Sequence, residues 1–256
     1  MMAVAPPRRE LLGTTVHAVG LDEALQWLRD RIASHTPGYV VTLNGALLVQ
    51  TARDPALRAI VNEAAMVTAD GIGVVLAARI LCVTGIRRLA GIDLASAACA
   101  QAAVNGHRIY LLGASPGVAE AAADALRARY PAIQIAGTHH GFFAADEEAS
   151  IIDGIRQERP DLLLVALGAP RQEQWMHRWL ATVGVPVAIG VGGSLDVLAG
   201  RVRRAPGWIR RIGMEWLFRV LLEPRRWSVV RTIPPLFLLA LRERVRRGVW
   251  RPSSRA

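Results

Sequence analysis

The chain has 256 residues, 52% of them hydrophobic and 20% charged, enough to bury a substantial core and too apolar for a disordered chain. Its formal charge of +10 suggests nucleic acid until it is divided: residues 1–200 carry 16 Arg against 18 acidic residues, and residues 201–256 carry 15 Arg against 3. The excess therefore belongs to the tail, and neither a secretory signal nor a run of the ~18 to 20 apolar residues of a membrane span is expected.

In chain order, Tyr39 to Asn44 is the first strand-like apolar run, and Arg108 to Gly113, Asp161 to Gly168 and Val187 to Gly192 follow it. Asp54 to Ala65, Gly71 to Leu81, Gly117 to Tyr130, Glu147 to Glu158 and Gln172 to Ala181 have the spacing of helices. The alternation predicts an α/β class, Rossmann-like and doubly wound on a mainly parallel sheet, whose ligands bind beyond the carboxyl ends of the strands. Thr42, Asn44, Gly113, Ser115, Gly168, Gln172, Gly192 and Asp196 all fall at that edge. Cys82 and Cys99 stand in apolar or Ala-rich surroundings without CxxC or Cys/His spacing and are read as buried reduced thiols, which favours a cytoplasmic location.

After Gly200 the pattern changes. Trp208, Trp216, Trp227 and Trp250 crowd with Leu, Phe and Arg, and Pro235 to Leu241 runs into Arg242-Glu243-Arg244-Val245-Arg246-Arg247. The expected division is a core over residues 1–200 and an Arg-rich, amphipathic helical appendage over 201–256. Basic helices with interfacial Trp suit an anionic membrane surface, at about 1 kcal/mol per nearby Arg, better than they suit nucleic acid. A chain cut near Gly200 is expected to stay folded.

Several constellations bear chemistry. Gly113-Ala114-Ser115-Pro116-Gly117 and Gly190-Val191-Gly192-Gly193-Ser194-Leu195-Asp196 follow strands, where backbone amides can receive a diphosphate or simply make a β-to-α turn. Asp70, in Thr68-Ala69-Asp70-Gly71, is either a helix N-cap or a general base at the sheet edge. Gly168 to Trp175 is polar directly after a very apolar strand, as a solvated helix start or as a binding element. His139-His140 has no third ligand at metal spacing, and no Asp-x-Asp is present to hold a sugar-nucleotide metal, so neither a metal nor another cofactor is expected. An oxidoreductase reading lacks GxGxxG and the acidic ribose ligand ~20 residues on. A non-catalytic protein that binds a membrane surface or nucleic acid through the Arg-rich tail is the remaining alternative.

Val41-Thr42-Leu43-Asn44, Ala69-Asp70-Gly71, Gly91-Ile92-Asp93-Leu94, His140-Gly141, Leu167 to Glu173, Gly190 to Asp196, Arg204-Ala205-Pro206 and Glu215-Trp216-Leu217-Phe218-Arg219 closely resemble, in order, the WecG/TagA/CpsF glycosyltransferases. The likeness runs from about Leu11 to Trp227. It implies an inverting, metal-independent enzyme that uses a UDP-sugar donor and a polyprenyl-diphosphate-linked sugar acceptor in cell-surface polysaccharide or teichoic acid synthesis. It further implies Asp70 as catalytic base, Thr42 and Asn44 lining the sugar pocket with Gln172 close to it, and Arg219 and Arg226 as arginines of a membrane-docking appendage that helps close the site over the diphosphate. Where the family often has Glu-Arg before its Gly-x-Asp, this chain has Arg87-Arg88. The expected setting is peripheral, on the cytoplasmic face of the bacterial inner membrane. Self-association into a homo-oligomer is left open by the sequence, as are the transferred sugar and the pathway.

Overall fold

The computed structural model describes residues 6–211, 213–222 and 230–248. A short antiparallel hairpin, β1 (Arg8–Leu11) and β2 (Thr14–His17), precedes α1 (Leu21–Ala33). Six further strands follow: β3 (Gly38–Leu43), β4 (Met66–Ala69), β5 (Arg108–Gly113), β6 (Gln134–His139), β7 (Leu162–Ala166) and β8 (Val187–Gly190). They form one sheet in the order β4-β3-β8-β7-β5-β6, every neighbouring pair parallel. Apolar residues at successive positions of these strands serve both faces, as a sheet covered on two sides requires.

Val41, Leu43, Leu112 and Val165 pack against α2 (Gly45–Arg53), α3 (Pro55–Glu63), α4 (Ile72–Ile80), α7 (Glu148–Glu158) and α8 (Arg171–Val183). Their neighbours Val40, Leu111 and Leu164 pack against α1, α5 (Gly91–Asn105) and α6 (Val118–Arg129) on the other face. The expected Rossmann-like, doubly wound arrangement is what these residues build. Cys99 is buried as expected, and burial pushes its thiol up to about 12. Cys82 corrects the expectation: it sits exposed, at φ +57°, in the turn after α4.

Beyond α9 (Ser194–Leu198), the tail forms α10 (Gly207–Arg211), α11 (Glu215–Leu222) and α12 (Ile233–Arg246). The last of these rests on the core. Leu236 is 2% exposed and sits so close to α2 and α4 that a methyl group on Gly45 or Gly73 would stand 3.1 or 3.3 Å from its Cδ2. Arg247 reaches back to Glu10 on the hairpin at 2.7 Å. A cut at Gly200 would therefore bare apolar surface on α2 and α4 that the tail covers. No helix among the described residues is long and apolar enough to cross a membrane.

His17 ties the hairpin to the sheet, because its Nδ1 accepts the Val67 N–H at 3.0 Å while the ring is 1% exposed. Burial first, and the Arg8 charge second, lower its pKa from 6.5 to about 4. Since the folded value lies below the unfolded one, its contribution is fully present above pH 6.5 and lost as pH falls through about 4. The loss amounts to about 3 kcal/mol. We expect the fall in thermal midpoint between pH 7 and pH 4.5 to be shallower in His17→Gln than in the parent, and an equal slope in the two would refute the assignment.

Candidate active site

The carboxyl ends of β3, β4 and β8 open on a cavity of about 640 Å³. Thr42, Asn44, Asp70, Gln172 and Gly192 line it together. Met214, Trp216, Val220, Ile233 and Phe237 of the tail supply an apolar wall.

Each polar group is fixed by the way its strand ends. Thr42, 5% exposed, donates its hydroxyl to the Gly190 carbonyl at 2.7 Å and so joins β3 to β8. Asn44 caps α2, its Oδ1 accepting the Leu47 N–H at 2.9 Å, which leaves the amide's donor half to serve a ligand. Asp70 follows β4, with its own N–H donated to Leu43 at 2.8 Å. The N-cap of α4 is Gly71, at φ +94°, so the capping position that competed with the general-base reading is not occupied by Asp70.

Gln172, in the first turn of α8, is 3% exposed. Its Oε1 accepts the Gly192 N–H at 3.0 Å and its Nε2 donates to Glu173 Oε1 at 2.8 Å. Glu173 is fully buried, and desolvation raises its pKa. Gly190 has no room for a side chain beside this pair, since a Cβ there would lie 2.9 Å from Gln172 Nε2.

These bonds change the reading of the glycine turns. Val191 donates to Val165, Gly192 to Gln172, and Ser194 to Val191 at 3.1 Å, so those amides are held within the protein. Ala114 likewise donates to Ala166 at 2.9 Å. Gly113, Ser115, Gly168 and Asp196 do not line the cavity. Gly113 is wedged against β7, Ser115 and Gly168 are exposed in the turns after β5 and β7, and Asp196 in α9 accepts the Arg201 and Val202 N–H groups at its backbone carbonyl. Arg219 belongs to α11, with its side chain outside the described part of the structure, and Arg226 lies outside the described residues.

Two residues beyond those predicted complete the rim. Arg88 forms an isolated parallel bridge with Ala69, one residue before Asp70, and is the one cation among the described lining residues. Glu215 at the start of α11 meets Arg88 Nη2 with one carboxylate oxygen at 3.0 Å and Arg204 Nε with the other at 3.2 Å. Arg204 in turn pairs with Asp93 at 2.6 Å. Arg88 is marked in the sequence by a basic pair breaking the apolar stretch before Gly91, and Glu215 by opening the Glu-Trp-Leu-Phe-Arg motif; neither mark says that the two meet.

A cavity lined by one carboxylate at a strand end, one cation, several neutral polar groups and an apolar wall can deprotonate a hydroxyl and receive an anionic group. Residues 9–249 match the Glycosyl transferase WecG/TagA/CpsF family. Among curated proteins, the chain is similar to the N-acetylglucosaminyldiphosphoundecaprenol N-acetyl-beta-D-mannosaminyltransferases of Staphylococcus aureus strains NCTC 8325 / PS 47, COL and MRSA252. Each is 36% identical over 196 residues, covering 77% of this chain and 76% of the relative.

Proposed function

The chain belongs to the WecG/TagA/CpsF glycosyltransferase family, and from that premise we propose that it moves a sugar from a UDP-sugar onto a polyprenyl-diphosphate-linked acceptor by one inverting, metal-independent displacement. The sugar is of the N-acetylmannosamine type, its uronic acid, glucose or glucuronic acid; the relatives' names favour the first. The observation that carries this reading is that Asp70 and Arg88 line one cavity with Thr42, Asn44 and Gln172, Arg88 being bridged to the residue before Asp70.

In this mechanism an acceptor hydroxyl attacks the donor's anomeric carbon while its proton passes to the Asp70 carboxylate. The bond from that carbon to the diphosphate oxygen breaks with its electron pair, and UDP departs. Arg88 offsets the charge that develops there, joined by Arg219 and Arg226 from the tail. Thr42, Asn44 and Gln172 orient the sugar. One attack from the opposite face inverts the anomeric centre.

Incubation of the protein with a panel of UDP-sugars and a short lipid-diphosphate acceptor, in EDTA, should release UDP and give a product heavier by one sugar. No product from any donor would defeat the reading, and a product restored only by Mg²⁺ or Mn²⁺ would defeat metal independence.

For residues 201–256 the reading is an appendage that seats the enzyme peripherally on the anionic, cytoplasmic leaflet. Trp208 at 66%, Leu238 at 50% and Leu241 at 51% exposed, together with the tail's Arg excess, support it. Vesicles with anionic lipid should capture the full chain, less so as salt rises, because exposed charges are screened over about 8 to 10 Å at physiological ionic strength. Equal capture by neutral vesicles would count against this.

A further inference from the structure

We propose that Glu215 is a positioning residue for the transfer, holding the Arg88 guanidinium at the cavity's edge and so making the site depend on how α11 is seated. The proposal rests on the reading above, that the cavity receives diphosphates.

Three observations support it. First, Glu215 divides its two oxygens between two cations: Oε2 meets Arg88 at 3.0 Å and Oε1 meets Arg204 at 3.2 Å. Its side chain is only 13% exposed, against 24% for each arginine, so the geometry is sheltered rather than a loose surface pairing. Second, the same Arg204 guanidinium forms an ion pair through its Nη2 with Asp93 of α5, at 2.6 Å, and does not line the cavity. Arg204 thus fastens Glu215 to the core, and Glu215 passes that restraint to Arg88. Third, Arg88 is bridged to Ala69, whose neighbour is Asp70, so a shift at α11 reaches the residue beside the base through two side chains. The same helix brings Trp216 and Val220 to the cavity wall.

The charges give the proposal a signature. Asp70, Arg88 and Glu215 are the ionisable groups among the described lining residues, two acidic and one basic. Removing the Glu215 carboxylate takes negative charge away from an anion site, which by itself strengthens anion binding. A drop in turnover without weaker anion binding therefore reports lost orientation of Arg88 rather than lost attraction.

The test uses the full chain and a double-mutant cycle of Glu215→Gln, Arg88→Gln and the pair. With a UDP-sugar and a soluble lipid-diphosphate acceptor, Glu215→Gln should lower kcat by about tenfold while KM stays level or falls, and inorganic pyrophosphate should bind no more weakly than to the parent. In the Arg88→Gln background the same change should have no further effect on kcat. Independent, multiplying effects would overturn the proposal and make Glu215 an anchor acting through Arg204. So would an unchanged kcat, or a fall in kcat fully accounted for by a lower thermal midpoint. A parent protein that turns over no UDP-sugar would overturn both this proposal and the functional reading, whereas normal parent turnover with an unaffected Glu215→Gln overturns this proposal alone.

Discussion

Asp70→Asn should fold and bind UDP as the parent does while its turnover drops by roughly 10²- to 10⁴-fold, the usual range for a lost general base. Asn keeps the shape of the carboxylate and loses its ability to accept a proton. The structural alternative makes an opposite forecast, because an Asp that capped α4 would cost stability when changed. Gly71 holds that capping position, and at φ +94° it has no side chain to give the helix. Thermal unfolding and single-turnover kinetics on the same sample decide between them. A lowered midpoint with intact kinetics would remove Asp70 from the mechanism.

Gly113→Ala is expected to fail at the level of folding. The residue has φ +127°, and a Cβ there would stand 2.4 Å from the Ala166 carbonyl carbon and oxygen on the neighbouring strand. Neither atom can move without parting β5 from β7, which pair through Gly113 and Ala166. The cost is about 4 kcal/mol or more, which lowers the thermal midpoint by roughly 10 °C or beyond. In the sequence this glycine stands in a turn that either cradles a diphosphate or simply joins strand to helix. Should Gly113→Ala prove as stable as the parent and lose only UDP affinity, the cradle regains its claim and the packing argument is wrong.

The sequence showed those parts of the fold whose signals are local. β3, β5, β7 and β8 are apolar runs bounded by polar or small residues, and each run coincides with its strand to within a few residues. β4 is only four residues long, and β6, reading Gln-Ile-Ala-Gly-Thr-His, is a half-buried edge strand with no apolar run to announce it. α5 is so rich in Ala that no stripe of large residues marks its face. The site divides the same way. Thr42, Asn44, Asp70 and Gln172 each stand where an apolar strand gives way to polar residues, and the cavity brings these four together. Arg88 and Glu215 meet across 127 residues of chain, a pairing that no spacing rule encodes. Nor does a glycine-rich turn disclose where its amides point, and here the Val191, Gly192 and Ser194 amides serve the protein itself.

The position of β8 has a consequence for how the protein comes into being. Synthesis delivers β3 and β4 early and β5, β6 and β7 later, as two groups with complementary unpaired edges. β8, the last strand of the sheet, enters between them, pairing with β3 on one side and β7 on the other. It also brings the Gly190 carbonyl that receives the Thr42 hydroxyl across 148 residues. Contacts of such separation form slowly, because a long loop must close before they are rewarded. The ribosome must therefore have released the whole of β8 before the floor of the cavity exists, and a chain stopped short of it displays two open sheet edges in place of an enzyme.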